Sequence, residues 1–433
     1  MNKTALLLLL LLFCTFYQDF PLVNFFGEIA RTPIFIVVPP MLFYLLSFKR
    51  LVLSNYTKYF IYYILYLFVI SAIHLIYLVL SEQTFTFLRE NIILKTIKMS
   101  IYPIIALIYY QFFCTFLKRG KDTLNNLFDA LYILQIFFAI YLLFEIYFLK
   151  SPTIFLPFLH SISDKFWKVR LLTLEESYVG NVITFFVFIP IFLVNYLNKT
   201  IKIKKNVYCL SAYFIVLYTF FCESKGYLFL LLLSVLPLTL KHVYENPNLK
   251  KYLILILTPM LIIIVIIFIY LEVLVSEQLS NNNSGTFGTR FTSVFSSLKL
   301  FVKHPFGVGW SGFIYYYPEE IKNTLDSILV NGLDKHEVKG YLSTSKALST
   351  KTEFFDGLIY GGIGFLYFYY NFFIRRYFKL SKIEKTNLFF LKIPMLFSIL
   401  AGLIYINYTI KYEIWFLMAL IDTIEYKYKH EEQ

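Results

Sequence analysis

A short glycine-rich segment, GVGWSG, is the stretch whose pattern most directly suggests chemistry. Its glycines, Gly307, Gly309 and Gly312, satisfy the G-x-G-x-x-G pattern with which dinucleotide-binding proteins approach a pyrophosphate. That role requires a strand before the pattern and a helix after it within a βαβ unit, and the surrounding sequence indicates no such unit. Ser311 has no glycine two residues later, so it does not form a nucleophile elbow. We therefore expect the glycines to let the chain turn closely over a neighbouring helix.

The cysteines suggest neither a disulfide nor a metal site. They all lie in apolar runs, without C-x-x-C or Cys/His spacing, at Cys14, Cys114, Cys209 and Cys222. Any catalytic chemistry must therefore come from other side chains, and where those side chains lie depends on how the chain is organised.

The composition is that of a membrane protein. Of the 433 residues, 58% are hydrophobic and 15% are charged, whereas a globular domain carries roughly 25% charged residues. The mean hydropathy is +0.66. The net charge of +13 comes from Lys and Arg in short clusters between apolar runs, a pattern typical of cytoplasmic loops. We predict contact with membrane lipid and no nucleic-acid partner.

The apolar runs predict one integral membrane domain over residues 1–433, all-α and polytopic. A membrane helix needs about 20 mostly apolar residues, and the N-terminal MNKTALLLLLLLFC is taken as the first span. About twelve spans are predicted, near 4–20, 32–47, 59–80, 99–117, 127–149, 178–197, 207–222, 226–240, 252–275, 353–374, 386–407 and 412–425.

The basic clusters give this topology an orientation. With the N-terminus inside, each internal connection on the cytoplasmic side carries Lys or Arg, as the positive-inside rule expects. Both termini are then cytoplasmic, and two longer connections, 150–177 and 276–352, are extracytoplasmic. ATP and nucleotide-sugars are absent there, so chemistry on that face needs a substrate already carried across the membrane.

The large outer loop contains a predicted amphipathic helix over about 289–303, lying at the outer membrane face. Its apolar residues recur at helical spacing, with Ser293, Ser296 and Ser297 expected on the exposed side. Pro305 ends the helix, and the following glycines allow a tight reversal. Residues 81–98 are expected to form a second interfacial helix.

Four segments together resemble the bacterial O-antigen and capsular polysaccharide repeat-unit polymerases, the Wzy type, whose superfamily also contains the O-antigen ligases. The arginine, helix and HPFGVGWSGF of residues 290–313 resemble the signature of that family. VRLLTLEESYVG at 169–180, FFCESKGYLFL at 220–230 and EFFDGLIYGGIGFL at 353–366 resemble three further family segments, in order. These segments cover about a seventh of the chain.

The resemblance implies a GT-C-like membrane glycosyltransferase without cofactor or metal. The family transfers the glycan of an undecaprenyl-diphosphate-linked oligosaccharide to the non-reducing end of another lipid-linked repeat unit, with lipid diphosphate as the leaving group. The implied products are O-antigen, for lipopolysaccharide, or capsule, made at the outer face of the bacterial cytoplasmic (inner) membrane. A chain-length regulator and a flippase are implied as partners.

The family's arginines correspond to Arg170 and Arg290, and Lys225 supplies a third cation in the Ser-Lys-Gly turn. Arginine binds phosphate oxygens bidentately and keeps its charge, so the resemblance implies that these residues bind the diphosphate. The alternative is that such side chains snorkel and anchor outer helix ends to lipid headgroups.

The acceptor hydroxyl needs a base, and Glu175 and Glu176 stand where an outer loop re-enters the membrane. We prefer Glu176, although an acid beside Ser177 equally suits a helix start. His336 is a third candidate or a solvated loop residue, because residues 349–353 carry no histidine where the family often has one.

Trp310 and Tyr315 belong to an aromatic run that suits either stacking on sugar rings or an interfacial belt. Two other functions remain open: an O-antigen ligase, and a flippase or transporter for lipid-linked oligosaccharides.

Overall fold

The computed structural model describes residues 2–48, 53–82, 86–87, 90–119, 122–151, 153–162, 168–222, 224–245, 285–327, 336–342, 348–383 and 388–431. The predicted span at 252–275 lies outside these residues.

The described residues are almost entirely helical. The helices are α1 (Lys3–Phe16), α2 (Val23–Phe26), α3 (Ile34–Leu46), α4 (Asn55–Leu80), α5 (Ile92–Lys118), α6 (Thr123–Phe148), α7 (Glu176–Tyr196), α8 (Ile201–Cys222), α9 (Lys225–Glu245), α10 (Gly285–Lys303), α11 (Gly309–Leu325), α12 (His336–Gly340), α13 (Glu353–Tyr369), α14 (Arg375–Ser381), α15 (Phe389–Ile404) and α16 (Tyr412–Glu431). Short 3-10 turns cover Glu28–Arg31 and Pro157–Leu159, and a π-turn, Tyr370–Ile374, joins α13 to α14.

Each predicted span within the described residues coincides with one of these helices. Among the described residues, five helices are long and apolar enough to cross a membrane: α4, α5, α6, α7 and Glu353–Ser381, which is kinked at a non-helical Gly362. The outward side of α4 is apolar, with Leu65, Val69 and Ile73 each at least 56% exposed. Such a surface suits acyl chains rather than water, so the prediction of an all-α membrane protein is confirmed at this level.

The interfacial helix expected over 81–98 is not formed as such. Two-residue strands, β1 (Thr86–Phe87) and β2 (Glu90–Asn91), pair antiparallel instead. The side chain of Asn91 accepts a hydrogen bond from the Leu94 amide, 3.1 Å away, and so caps the start of α5. The long helix α5 therefore begins at Ile92, directly after the two short strands.

The helix α7 is the most enclosed of the five long apolar helices: 89% of its most apolar 18-residue stretch is buried inside the protein. It packs against α6, α8 and α15, and its first residues reach the polar end of the bundle where the candidate site lies. Elsewhere in the core, the aromatic rings of Phe60 in α4 and Trp415 in α16 stack, with their centroids 5.0 Å apart. This stacking joins α4 to α16.

Three of the basic residues predicted to be cytoplasmic, Lys118, Arg119 and Arg376, lie at one end of the described bundle. The guanidinium of Arg376 lies 3.8 Å from the ring centroid of Tyr56, and that of Arg119 lies 3.8 Å from the ring of Phe48. Lys118 pairs with Asp422 at 3.2 Å. Loops that are distant in sequence thus share one basic end, as the predicted topology requires.

Helix α10 presents the opposite face from the one expected. Its hydroxyl-bearing residues, including Ser293 and Ser297, are fully buried, whereas Leu298 is 43% and Val302 is 79% exposed. The buried hydroxyl stripe packs against α11 and α13, because small side chains let membrane helices approach closely. The prediction that the serines are exposed is therefore wrong, and the apolar side faces outward.

The turn between α10 and α11 lies partway along the bundle, with Gly307 and Gly309 buried and Phe306 63% exposed. Gly309 meets Ser71 of α4, nine residues from the end of that helix at Leu80, a distance of about 14 Å along the axis. The amides of Trp310 and Val308 donate to Ser71 Oγ (2.8 Å) and to the Ile359 carbonyl oxygen (2.9 Å). Irregular backbone at such depth is tolerated where protein supplies the hydrogen bonds. Helices α10 and α11 thus form a hairpin whose turn packs against α4 and α13.

Gly307 and Gly309 explain the tightness of this turn, since both have positive φ, +85° and +64°. A Cβ on Gly309 would lie 2.6 Å from backbone atoms of Ser71, and one on Gly307 would lie 2.4 Å from the Tyr360 carbonyl oxygen. The expectation that these glycines let the chain turn closely over a neighbouring helix is confirmed, with α4 and α13 as the helices.

Candidate functional site

A cavity of about 1270 Å³ opens at the end of the bundle opposite the basic loops. Its polar lining comes from connections that the predicted topology places on the outer face. The lining segments lie within 23–31, 90–106, 161–178, 289–314, 348–360 and 405–411. Its deeper wall is aromatic and includes Phe60, Tyr63, Phe368 and Trp415. The cavity therefore joins a charged mouth to an apolar interior.

Arg290 lines this cavity, as expected of a site residue. It stands in α10 and its Nη1 lies 3.4 Å from the Ile404 carbonyl oxygen. The guanidinium carbon also lies 6.0 Å from the ring centroid of Tyr405. Helix α10 and the segment after α15 thus position this cation at the mouth.

Arg31 and Lys411 line the cavity as well. Arg31 ends the 3-10 turn after α2, and its Nε and Nη2 each lie 2.5 Å from a carboxylate oxygen of Glu28. Lys411 Nζ lies 3.2 Å from the ring centroid of Tyr178, at the start of α7. Sequence reasoning missed both residues. The signal in the sequence was their position: each is a basic residue directly before the outer end of a predicted span.

Lys411 belongs to a buried polar chain below the mouth. Its Nζ donates to Gln18 Oε1 at 2.5 Å, and Gln18 Nε2 donates to Glu413 at 2.7 Å. Asn181 Nδ2 also donates to Glu413 at 2.7 Å. Burial lowers the pKa of the Lys411 ammonium to about 7, although the Glu413 carboxylate favours the charged form.

Among the cavity's carboxylates, Glu175 was expected from the sequence and Glu353 was not. Glu175 precedes α7 and is exposed at the mouth. Glu353 begins α13, where it accepts a hydrogen bond from the Tyr408 amide at 2.8 Å. Asp356, one turn later, accepts from Thr350 N, Ser349 Oγ and Asn407 Nδ2 at 2.6–2.8 Å. Through these hydrogen bonds, Asp356 stabilises the loop before α13.

The structure places Arg170 outside the cavity. Its side chain is 2% exposed, and its Nη1 lies 3.5 Å from Asp19 Oδ2. The same carboxylate oxygen lies 2.7 Å from His160 Nδ1, and the backbone amide of Arg170 donates to Glu145 at 2.9 Å. Arg170 thus joins the first outer connection to the second, and it does not meet Arg290 in the cavity.

Of the two aromatic candidates, Trp310 lines the cavity and Tyr315 does not. The indole of Trp310 is 3% exposed and packs edge-on to Phe68, with ring centroids 5.3 Å apart. Tyr315 packs against Phe87 of β1 at 5.2 Å. Of these two residues, only Trp310 borders the space that a ligand would fill.

Three further candidates are described by their backbone alone. Glu176, Lys225 and His336 each begin a helix, α7, α9 and α12 respectively, and their side chains lie outside the described part of the structure. Within the described ranges, no three His, Cys, Asp or Glu residues come together as a metal-ligand set.

Comparison with known proteins gives no relative for this chain: no family model, no curated protein and no solved structure matches it. The function must therefore be argued from the cavity itself and from the resemblance of the four sequence segments.

Proposed function

We propose that this protein is a repeat-unit polymerase: a twelve-span, GT-C-like glycosyltransferase that builds O-antigen or capsular polysaccharide from undecaprenyl-diphosphate-linked oligosaccharides. The observation that carries the proposal is the cavity, which combines cations, carboxylates and an apolar interior at one end of a membrane bundle. A lipid-linked glycan has the matching parts: a charged diphosphate, a polar sugar chain and a long hydrocarbon tail.

The positive-inside rule orients this end toward the outside. Lys118, Arg119 and Arg376 lie at the other end, and the rule assigns such basic connections to the cytoplasm. The substrate then meets the enzyme after it has been flipped, and the energy of its diphosphate linkage replaces a nucleotide-sugar donor.

The leaving group requires cations, and Arg290 supplies one. During transfer, the acceptor hydroxyl oxygen bonds to the anomeric carbon of the donor glycan, and the bond from that carbon to the phosphate oxygen breaks. Lipid diphosphate departs with the electron pair. A guanidinium fixed at the cavity mouth stabilises the negative charge that develops on the phosphate oxygens.

The proton of the acceptor hydroxyl needs a carboxylate, and we assign this role to Glu353. Glu175 is exposed at the mouth of the cavity. Glu353 has Asp356 and tyrosine hydroxyls as its charged and titratable neighbours, which makes it the better acceptor. Trp310 would offer its ring to a sugar in the deeper part of the cavity.

Polymerisation by the purified protein tests the proposal. The full chain in lipid nanodiscs is given a synthetic diphosphate-lipid repeat unit and nothing else, and the products are separated by size. A ladder supports the polymerase, and the Arg290→Ala and Glu353→Gln variants should abolish it while leaving protein yield normal. Arg375→Ala is the matched control, because Arg375 lies at the opposite end, near Tyr59 and Asn371.

The other outcomes point to the two alternatives. Transfer of preformed glycan to a lipid core without any ladder would indicate a ligase. Movement of the lipid-linked unit across the bilayer without a new glycosidic bond would indicate a flippase, and either result would overturn the polymerase.

A further inference from the structure

Arg31 has one guanidinium nitrogen for which the described residues supply no hydrogen-bond partner. Its Nε and Nη2 are taken by Glu28, while Nη1 is buried and unmatched among those residues. The side chain is 10% exposed and lines the cavity. A buried N–H without an acceptor destabilises the folded state, so this nitrogen indicates a ligand that accepts hydrogen bonds.

The backbone fixes Arg31 in this position. Its carbonyl oxygen accepts a hydrogen bond from the Phe20 amide at 2.9 Å, which closes the first outer connection into a compact turn. The carboxylate of Glu28 holds one edge of the guanidinium by two hydrogen bonds. The remaining donor is therefore preorganised, and little side-chain freedom is lost when an anion binds.

Two further cations share this corner of the cavity. Lys411 Nζ lies over the Tyr178 ring at 3.2 Å, and Arg31, Arg290 and Tyr178 line the same cavity. The carboxylates near Lys411 and Arg31 are Glu28, Asp19, Glu175 and Glu413. Asp19 is held by His160 and Arg170. Glu28 covers only one edge of Arg31, and Glu413 is held by the amides of Gln18 and Asn181.

We propose that Arg31, Arg290 and Lys411 form a phosphate-binding corner, in which Arg31 is the second guanidinium for the lipid-linked diphosphate. The identity of the ligand rests on the proposed function, whereas the anion site rests on the geometry around Tyr178. Arg170 cannot take this place, because its side chain is buried against Asp19.

Binding of farnesyl diphosphate, a short isoprenoid diphosphate, tests the corner directly. Titration calorimetry with the full chain in nanodiscs compares farnesyl diphosphate, farnesyl monophosphate, farnesol and inorganic diphosphate. The native protein should prefer farnesyl diphosphate. Arg31→Gln should weaken its binding roughly 10–100-fold, the range for one charge-assisted contact, and Arg31→Lys should lose less. Arg375→Gln, at the far end of the bundle, should bind like the native protein.

Each outcome decides the proposal. Unchanged farnesyl diphosphate binding in Arg31→Gln, with the native melting temperature, overturns the phosphate corner even if polymerisation succeeds. Equal binding of inorganic diphosphate and farnesyl diphosphate would overturn the lipid-linked ligand. Arg31-dependent binding without any polymerisation would leave the corner standing and reject the polymerase.

Discussion

Replacing Gly309 by alanine tests the tight turn between α10 and α11, on which the site geometry depends. Gly309 has φ of +64°, and an added Cβ would meet Ser71 Cα and N at 2.6 Å. Both atoms belong to the backbone of α4, so no side-chain rotation relieves the contact. The turn must move away from α4 or the helix must bend.

The cost can be assembled from three terms. The left-handed conformation costs an alanine about 1 kcal/mol relative to glycine. The Trp310 N–Ser71 Oγ and Ser311 Oγ–Ser71 O hydrogen bonds, at 2.8 and 2.7 Å, are worth roughly 0.5–1.5 kcal/mol each. Forced displacement of packed backbone adds about 1–3 kcal/mol. The sum is on the order of 3–7 kcal/mol, a large part of the stability of most domains.

Thermal unfolding of the purified protein in detergent measures this cost. Gly309→Ala should lower the Tm by on the order of 5 °C or more, whereas Gly340→Ala, where an added Cβ meets nothing within 4 Å, should change it little. The double variant Gly309→Ala/Ser71→Ala should stay as unstable as Gly309→Ala, because the clash with the helix backbone persists. A native Tm in Gly309→Ala, or rescue by Ser71→Ala, would refute the backbone crossing described above.

Three further predictions concern the membrane, the hairpin and pH. In a cysteine-free background, Lys339→Cys should react with an impermeant maleimide added to intact cells, and Ser47→Cys should react only after lysis; the reverse pattern would invert the topology. Ser297→Leu should lower the Tm of the detergent-solubilised protein by several degrees more than Leu298→Ser, because the serine is buried between helices and the leucine faces outward; equal effects would contradict the packing of α10. Burial lowers the pKa of His160 below its ordinary 6.5, so the unfolded chain binds the proton more readily and the native protein should lose stability as pH falls below about 6.5. His160→Gln should show a shallower loss of Tm between pH 6.5 and 5, and an unchanged slope would exclude His160 as its source.

The sequence alone determined the helical class and the positions of most long apolar helices, but it did not predict the polar helix α11. Long apolar runs can satisfy their backbone in a bilayer as helices, so the spans near 59–80 and 178–197 appear as α4 and α7. The clusters of basic residues likewise indicated which loops share an end, since their charge is visible in the composition of each connection. Gly307 and Gly309 could be recognised as a close turn, because glycines after a helix-ending proline allow the backbone to turn where a Cβ would not fit.

Only the tertiary structure decided which face of α10 is buried and how deep its turn lies. Helical periodicity groups Ser293 and Ser297 on one side, but it does not say whether lipid or protein meets that side. In water the apolar side would turn inward, whereas in a membrane bundle small hydroxyl residues pack between helices and the apolar side meets lipid.

The composition of the candidate site was also beyond the sequence. Arg31, Arg290 and Lys411 come from connections separated by hundreds of residues, and their meeting at Tyr178 depends on the packing of α7 against its neighbours. Arg170 matched a family pattern as well as Arg290 did, yet a buried carboxylate at Asp19 holds it away from the cavity. Local sequence shows that a residue is charged; only the fold shows which opposite charge lies beside it.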